Sequence, residues 1–421
     1  MVSSKDYKQT EVGVIPKEWH IGTIEDFGKV LSGGTPSTNV LEYWGGSYLW
    51  CTPSDITCTS GKYIVQTERK ITEQGLKNSS AYLMPKGSLL LCTRATIGEM
   101  KINLCPMATN QGFKNVLPNG KNSINFLYYL LHTKKQKMVE KAIGSTFLEL
   151  SKGALCSIPL QIPLYEEQKN IAKVLSDIDN LISTLEKQIA KKKAIKQGVM
   201  QELITGKKRL KGFDKEWSVY NLEDLCHLIT KQTGFDYTNE IKSSLIKVNI
   251  PGTIPFIQNK DFEGNKVNLK TDYFIPINTA KKYPKIMLDE TCMLISLSGR
   301  IGNVGVYNRK YGHSFIGGAV GICKFYNPDY AEWAMLYLST EEGQKQIFEK
   351  QKAGAQHNLT VADVRKLSIK LPQTMEEIKG IVYILSDIEQ DIIRLEEKHK
   401  KYTAIKQGMM EQLLTGKIRL V

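Results

Sequence analysis

The sequence predicts an α+β protein: two globular domains joined by two long antiparallel coiled-coil helices, the whole carrying an internal pseudo-two-fold repeat. Three observations lead there. The stretch from Ala194 to Leu210 returns almost unchanged as Ala404 to Leu420. Upstream of each copy, apolar residues recur in steps of four and three: Ile171, Leu175, Ile178, Ile182, Leu185 and Ile189, then Ile381, Leu385, Ile388, Ile392 and Leu395. That is the spacing of a coiled-coil seam. Ahead of each helix, short apolar runs lead into glycine turns, Leu89 to Leu91 before Ile97 and Gly98, and Met293 to Ile295 before Ile301 and Gly302, as strands of a sheet-containing domain do.

The repeat divides the 421 residues into a first domain at 1–165, a spacer helix at 166–206, a second domain at 211–375 and a closing helix at 376–416. A single core rarely grows beyond about 250 residues, so more than one domain is expected. Lys17, Glu18 and Trp19, followed by Glu25 and Asp26, open the first module, and Lys215, Glu216 and Trp217, followed by Glu223 and Asp224, open the second. Each domain should then contain a helix, near Ile124 to Ile143 and near Ala331 to Lys352, before a short strand ending at Pro163 or Pro372.

Glu166 and Glu167, like Glu376 and Glu377, fall in the first turns of the long helices, where carboxylates suit the positive end of the helix dipole. Thr205 with Gly206, and Thr415 with Gly416, supply the stops. An ordinary core helix is the alternative for one apolar stripe, but two stripes in one register favour mutual pairing. The second domain begins soon after the first helix ends, so the second helix must start at that end and run back, antiparallel. Thirty-odd helical residues span roughly 50 Å, against about 34–36 Å for one turn of DNA.

Lysine and arginine outnumber aspartate and glutamate by 57 to 43, a formal charge of +14. Such a chain is drawn to polyanions through counterion release, although a merely solvated basic surface is the alternative. Met1 to Trp19 is polar and mixed in charge, so neither a secretory signal nor a membrane anchor is expected, and a cytoplasmic location is. The eight cysteines show neither zinc spacing nor a disulfide framework and read as buried thiols.

Catalytic motifs are incomplete. Asn327 to Tyr330 resembles a methyltransferase tetrapeptide but has Asp329 where a second proline belongs. Gly317 to Gly321 resembles a cofactor loop but runs into a strand pattern, and Thr205 to Lys208 lacks most of a P-loop. No nuclease metal site follows Pro328 and Asp329, and the six histidines form no acid–base set, His399 falling on the helix seam.

Lys196 to Lys207 with its twin from Lys406, the helix entries at Pro163 to Gln168 and Pro372 to Glu377, and Ser32 to Ser37 with Tyr43, Trp44 and Trp50 resemble the DNA-specificity subunits of Type I restriction-modification systems. The resemblance covers essentially the whole chain. It implies that each domain is a target-recognition domain reading one half of a bipartite site in double-stranded DNA. It also implies that the helices dock two methyltransferase subunits, which carry the S-adenosylmethionine, that separate restriction and translocase subunits complete the assembly, and that this chain binds no cofactor or metal. A noncatalytic coiled-coil adaptor that never touches DNA is the competing class.

Base reading needs bidentate side chains on loops that can enter a groove. In the first domain the candidates are Thr35, Ser37, Arg94, Thr96, Asn110 and Gln111. In the second they are Lys231, Gln232, Tyr237, Asn259, Lys260, Arg300 and Asn303, with Arg300 set before Ile301 and Gly302 much as Arg94 is set before Ile97 and Gly98. Ordinary turn capping is the alternative for each. Lys191 to Lys193 and Lys207 to Arg209 are candidates for phosphate contact, which sets affinity but not sequence, with simple solvation of the helices as the alternative. The two domains differ strongly from each other, which points to an asymmetric target.

Overall fold

The computed structural model describes residues 6–144, 148–263, 265–350 and 358–421. The chain forms two compact units, Met1–Gln188 with Leu395–Val421, and Ile189–Arg394. Each long helix contributes to both, the first running Tyr165–Ile204 and the second Met375–Leu413. They are 40 and 39 residues long.

In the first unit the central sheet has five strands, in the order Gly28–Ser32, Phe113–Pro118, Leu89–Cys92, Met100–Asn103 and Tyr63–Ile64. All four residues of Leu89–Cys92 are buried, as their unbroken apolar run requires of a central strand. A three-stranded sheet, Met107–Thr109, Trp44–Cys51 and Arg69–Ile71, lies beside it in the same domain. The second unit repeats the plan with a four-stranded sheet ordered Cys226–Lys231, Val320–Phe325, Cys292–Ser296 and Val304–Tyr307, and a second one ordered Phe274–Pro276, Thr253–Ile257, Ser314–Ile316 and Met287–Leu288.

The helix expected in each domain is two helices. They run Ile124–His132 and Lys135–Glu140 in the first, and Tyr330–Leu338 and Glu341–Glu349 in the second; residues 351–352 of the expected second helix lie outside the described residues. Hydroxyls make the breaks. Thr133 Oγ1 donates to the Leu130 carbonyl at 2.7 Å, and Thr340 Oγ1 accepts from the Gly343 amide at 3.2 Å to cap a new helix, local bonds that compete with helix continuation. The cysteines are all free, five of them buried, but Cys58 is exposed, contrary to the expectation of uniformly buried thiols.

Within each unit the two long helices run antiparallel. In the first, Asp179 meets Lys406 at 2.6 Å and Glu186 meets His399 at 3.2 Å; in the second, Lys192 meets Asp391 at 2.8 Å and Lys196 meets Glu389 at 2.7 Å. The end of one helix also enters the core of the domain from which the other departs. Leu413 and Leu414 pack with Trp19, Leu160 and Ile171, and Met200, Leu203 and Ile204 pack with Leu222, Ile369 and Ile381.

A repeated clamp fixes this docking. Arg419 gives two hydrogen bonds to Glu167, Nε to Oε1 at 2.6 Å and Nη2 to Oε2 at 2.9 Å, and the Trp19 indole donates to Oε2 at 2.9 Å. In the second unit Arg209 binds Glu377 at 2.7 and 2.8 Å, and Trp217 donates at 3.3 Å. Both carboxylates are almost wholly buried. Gly206 and Gly416, at φ +75° and +72°, turn the chain after each helix with the tryptophan ring so close that an added Cβ would lie 3.2 Å and 3.3 Å from it. Left-handed backbone and lack of space both demand glycine there.

A second polar joint also recurs. Lys62 Nζ donates to Ser176 Oγ at 2.6 Å beside Asp179, which accepts from the Tyr129 hydroxyl at 2.6 Å and pairs with Lys406. Burial pushes the Lys62 ammonium down to about 8. In the second unit Glu389 lies between Lys196 and Lys266, each at 2.7 Å. Burial pushes this carboxyl up, but hydrogen bonds from the two lysines outweigh it and hold the group below its ordinary value.

Two outcomes are expected. Arg209→Ala, which leaves a buried carboxylate with only an indole partner, should cost roughly 3 kcal/mol in urea denaturation and more than Glu377→Gln. Glu389 has a folded value below the ordinary 4.5, so its stabilisation is fully present above that pH and is lost as the pH falls through the folded value. Glu389→Gln should therefore remove part of the stability lost between about pH 6 and about pH 3 in a series of urea melts.

Candidate nucleic-acid interface

Hydrogen-bond register aligns the two domains turn for turn. The Cys92 amide donates to the Glu99 carbonyl and the Gly98 amide to the Cys92 carbonyl; the Ser296 amide donates to Asn303 and the Gly302 amide to Ser296 in the same pattern. Arg94, Ala95 and Thr96 therefore correspond to Ser298, Gly299 and Arg300. The matching of Arg94 with Arg300 drawn from sequence is corrected by this register: Arg300 stands at the position of Thr96, two residues further along the turn. Likewise the Thr93 amide donates to the Gly112 carbonyl as the Leu297 amide does to that of Ala319, so Asn110 and Gln111 correspond to Gly317 and Gly318.

In the first domain Thr35, Asn110, Gln111 and Arg94 come together. Thr35 Oγ1 donates to Gln111 Oε1, Asn110 Oδ1 accepts from the Gly112 amide at 2.9 Å, and a Cβ on Gly112 would stand 3.6 Å from Arg94 Cβ. Ser37 is exposed, and its carbonyl accepts from the Trp44 indole at 3.1 Å. Thr96 lies on the same turn as Arg94 but points inward, its hydroxyl buried beside the Cys92 thiol.

In the second domain Asn259 is bound into the turn at 296–303. Its Oδ1 accepts from Ser296 Oγ at 2.8 Å and its Nδ2 donates to the Ser298 carbonyl. Arg300 is exposed on that turn, whereas Asn303, at its far end, is half-buried and its carbonyl accepts from Ser296. Lys260 pairs with Asp272, whose hydrogen bond holds the ammonium above its ordinary value. Lys231 is exposed at the end of its strand. Gln232 is 2% exposed, its amide oxygen 3.5 Å from where a Cβ on Gly318 would stand, and Tyr237 packs against the apolar cluster around Phe256 and Phe315.

Two polar residues near these loops escaped the sequence reading. The Arg69 guanidinium lies 3.8 Å from the Trp44 ring centroid, with Trp50 edge-on to Trp44 at 5.0 Å, a stacked arrangement that holds an exposed charge in one orientation. Glu149 lies 2.6 Å from Arg94. Neither belongs to a motif, and Trp44 and Trp50 were the one local sign that a cation might stack there. Among the described residues no cluster of three or more His, Cys, Asp or Glu is placed to hold a metal, and no helix is long and apolar enough to cross a membrane.

Ala95 adopts φ +59° where the second domain has Gly299 at +72°. The left-handed region costs an L-residue about 1–2 kcal/mol, against which glycine loses about 0.5–1 kcal/mol in chain entropy. Ala95→Gly is expected to raise unfolding stability by roughly 0.5–1 kcal/mol in denaturant melts. A loss would show that the turn is held by contacts of the methyl group.

A family model described as the Type I restriction modification DNA specificity domain matches residues 16–197 and again 214–407. The Type I restriction enzyme MjaIX specificity subunit of Methanocaldococcus jannaschii is 44% identical over 185 residues, 44% of this chain and 43% of that one. The MjaVIII specificity subunit of the same organism is 26% identical over 99% of this chain and 96% of its own length. So the chain spans less than half of the first relative and nearly all of the second. Among solved structures, a chain from a study of complex assembly and conformational transition of the type I R-M system superposes with a TM-score of 0.60 at 17% identity, over 96% of this chain and 99% of that one. The S subunit from M. genitalium gives 0.58 at 13% identity, over 94% and 96%. These two share the fold. With both of its domains matched, the chain belongs to the family of Type I restriction-modification DNA specificity proteins.

Proposed function

We propose that this chain is the subunit that selects the DNA target of a Type I restriction-modification assembly, and that it does so without a catalytic centre of its own. Each domain reads one half-site of a bipartite, asymmetric sequence, and the paired helices determine how many base pairs between them go unread. Two methyltransferase subunits dock on the chain and bring S-adenosylmethionine, with restriction and translocase subunits as further partners.

The observation that carries this reading is the use of one scaffold twice with unlike side chains on corresponding turns: Arg94 against Ser298, Thr96 against Arg300, and Asn110 and Gln111 against Gly317 and Gly318. Direct readout depends on which donors and acceptors stand at such positions. Two different sets imply two different half-sites. A net charge of +14 suits the phosphate contacts that position the reader.

A map of methylated bases across the genome, with this gene intact and deleted and the methyltransferase gene left in place, tests the reading. A split motif with an unread centre should lose methylation on deletion. If no motif changes and the purified assembly shows no salt-dependent binding to duplex DNA, a noncatalytic adaptor is the better description. Inserting four residues into both helices in register adds about 6 Å of helix and should widen the unread centre by one or two base pairs; an unchanged centre would refute the spacing role.

A further inference from the structure

A carboxylate beside a surface that meets phosphates is costly, because like charge opposes the approach. Glu149 is such a group. Its Oε2 lies 2.6 Å from Arg94 Nη2 and its Oε1 3.9 Å from Lys114 Nζ. Lys114 stands further off and is itself almost buried, so the close charge partner of Glu149 is Arg94.

The backbone around this pair is held on both flanks. Arg94 and Glu149 face each other in an antiparallel bridge, with the Leu150 amide donating to the Thr93 carbonyl at 2.9 Å. On the other side the Thr93 amide donates to the Gly112 carbonyl at 2.7 Å, which brings Arg94 next to Asn110 and Gln111. A long side chain on a fixed backbone still samples many rotamers, and fixing it on binding costs affinity. An ion pair to one terminal nitrogen removes much of that freedom beforehand. The guanidinium has five donors in a planar fork, enough to hold a carboxylate and still face the O6 and N7 of a guanine.

The second domain builds the same frame without the pair. The Leu359 amide donates to Leu297 as Leu150 does to Thr93, which places Asn358 and Ser298 at the positions of Glu149 and Arg94. The pairing is thus a property of the first domain's turn and not of the scaffold.

We propose that Glu149 is a positioning residue that aims Arg94 at one guanine of the half-site read by the first domain. The inference rests on the bipartite recognition proposed above. Arg94 makes the base contact, and Glu149 fixes its direction at the expense of some attraction to phosphate.

The test uses the assembly of this chain with its methyltransferase partner, and duplexes in which every base of the methylated motif is substituted in turn. Arg94→Ala and Glu149→Gln should relax discrimination at the same single position of one half-site by about tenfold, while discrimination in the other half-site stays as in the wild type. Glu149→Gln should also bind unrelated duplex more tightly, and Glu149→Asp should restore much of the discrimination. Should Glu149→Gln fail to fold, Glu149→Asn, which installs the residue found at the matching place in the second domain, takes its place: relaxation at the Arg94 position supports the proposal, and wild-type discrimination there overturns it. Relaxation at no position, at all positions equally, or at a position that Arg94→Ala leaves intact would also overturn it. A wild-type assembly with no sequence preference would instead refute the recognition function itself, so the two failures are distinguishable.

Discussion

A buried carboxylate gripped by an arginine fork and an indole underlies both halves of this protein. Removing Glu167 or Glu377 from water costs several kcal/mol, a cost offset only if all three segments that supply Trp19, Glu167 and Arg419, or Trp217, Glu377 and Arg209, arrive together. In the first unit those segments are the start of the chain, the first turn of one long helix and the stretch just after the other. The apolar packing of Leu413 and Leu414, or of Leu203 and Ile204, follows the same docking, but hydrophobic contact is non-directional. The charge-assisted bonds set the register that contact alone leaves free.

With the helix ends fixed in this way, each domain is a sheet whose loops are free to differ. The strands keep one hydrogen-bond pattern through both copies, and the side chains at matching positions do not agree. Stability resides in Leu89 to Cys92, Cys292 to Ser296 and the buried helices against them, while the residues proposed to read DNA, Gln232 apart, are half-buried or exposed.

Much of this was legible in the sequence, because repeats and heptads are properties of spacing. The long helices, their glycine stops, the strands around Leu89 and Met293 and the doubling of the module all declared themselves. What escaped depends on which bonds form, some of them local and some to partners distant in sequence. A threonine that breaks a helix looks like any other until its hydroxyl finds a carbonyl, as Thr133 does. Arg94 stands three residues before Ile97 and Arg300 one residue before Ile301, so their two-place offset was already in the spacing, and the strand register repeats it. Gln232 reads as a reaching polar residue, but it lies just past its strand, beside Gly318, and is buried there. Glu149 stands 55 residues from Arg94 with no motif to link them.

The turns proposed to read DNA are held by main-chain bonds: Thr93 to Gly112 and Leu150 to Thr93 in one domain, Leu297 to Ala319 and Leu359 to Leu297 in the other. Amides and carbonyls are common to almost every residue type, so the frame is indifferent to which side chains it displays. Under the function proposed above, the side chains on these turns can change while the frame that displays them stays the same.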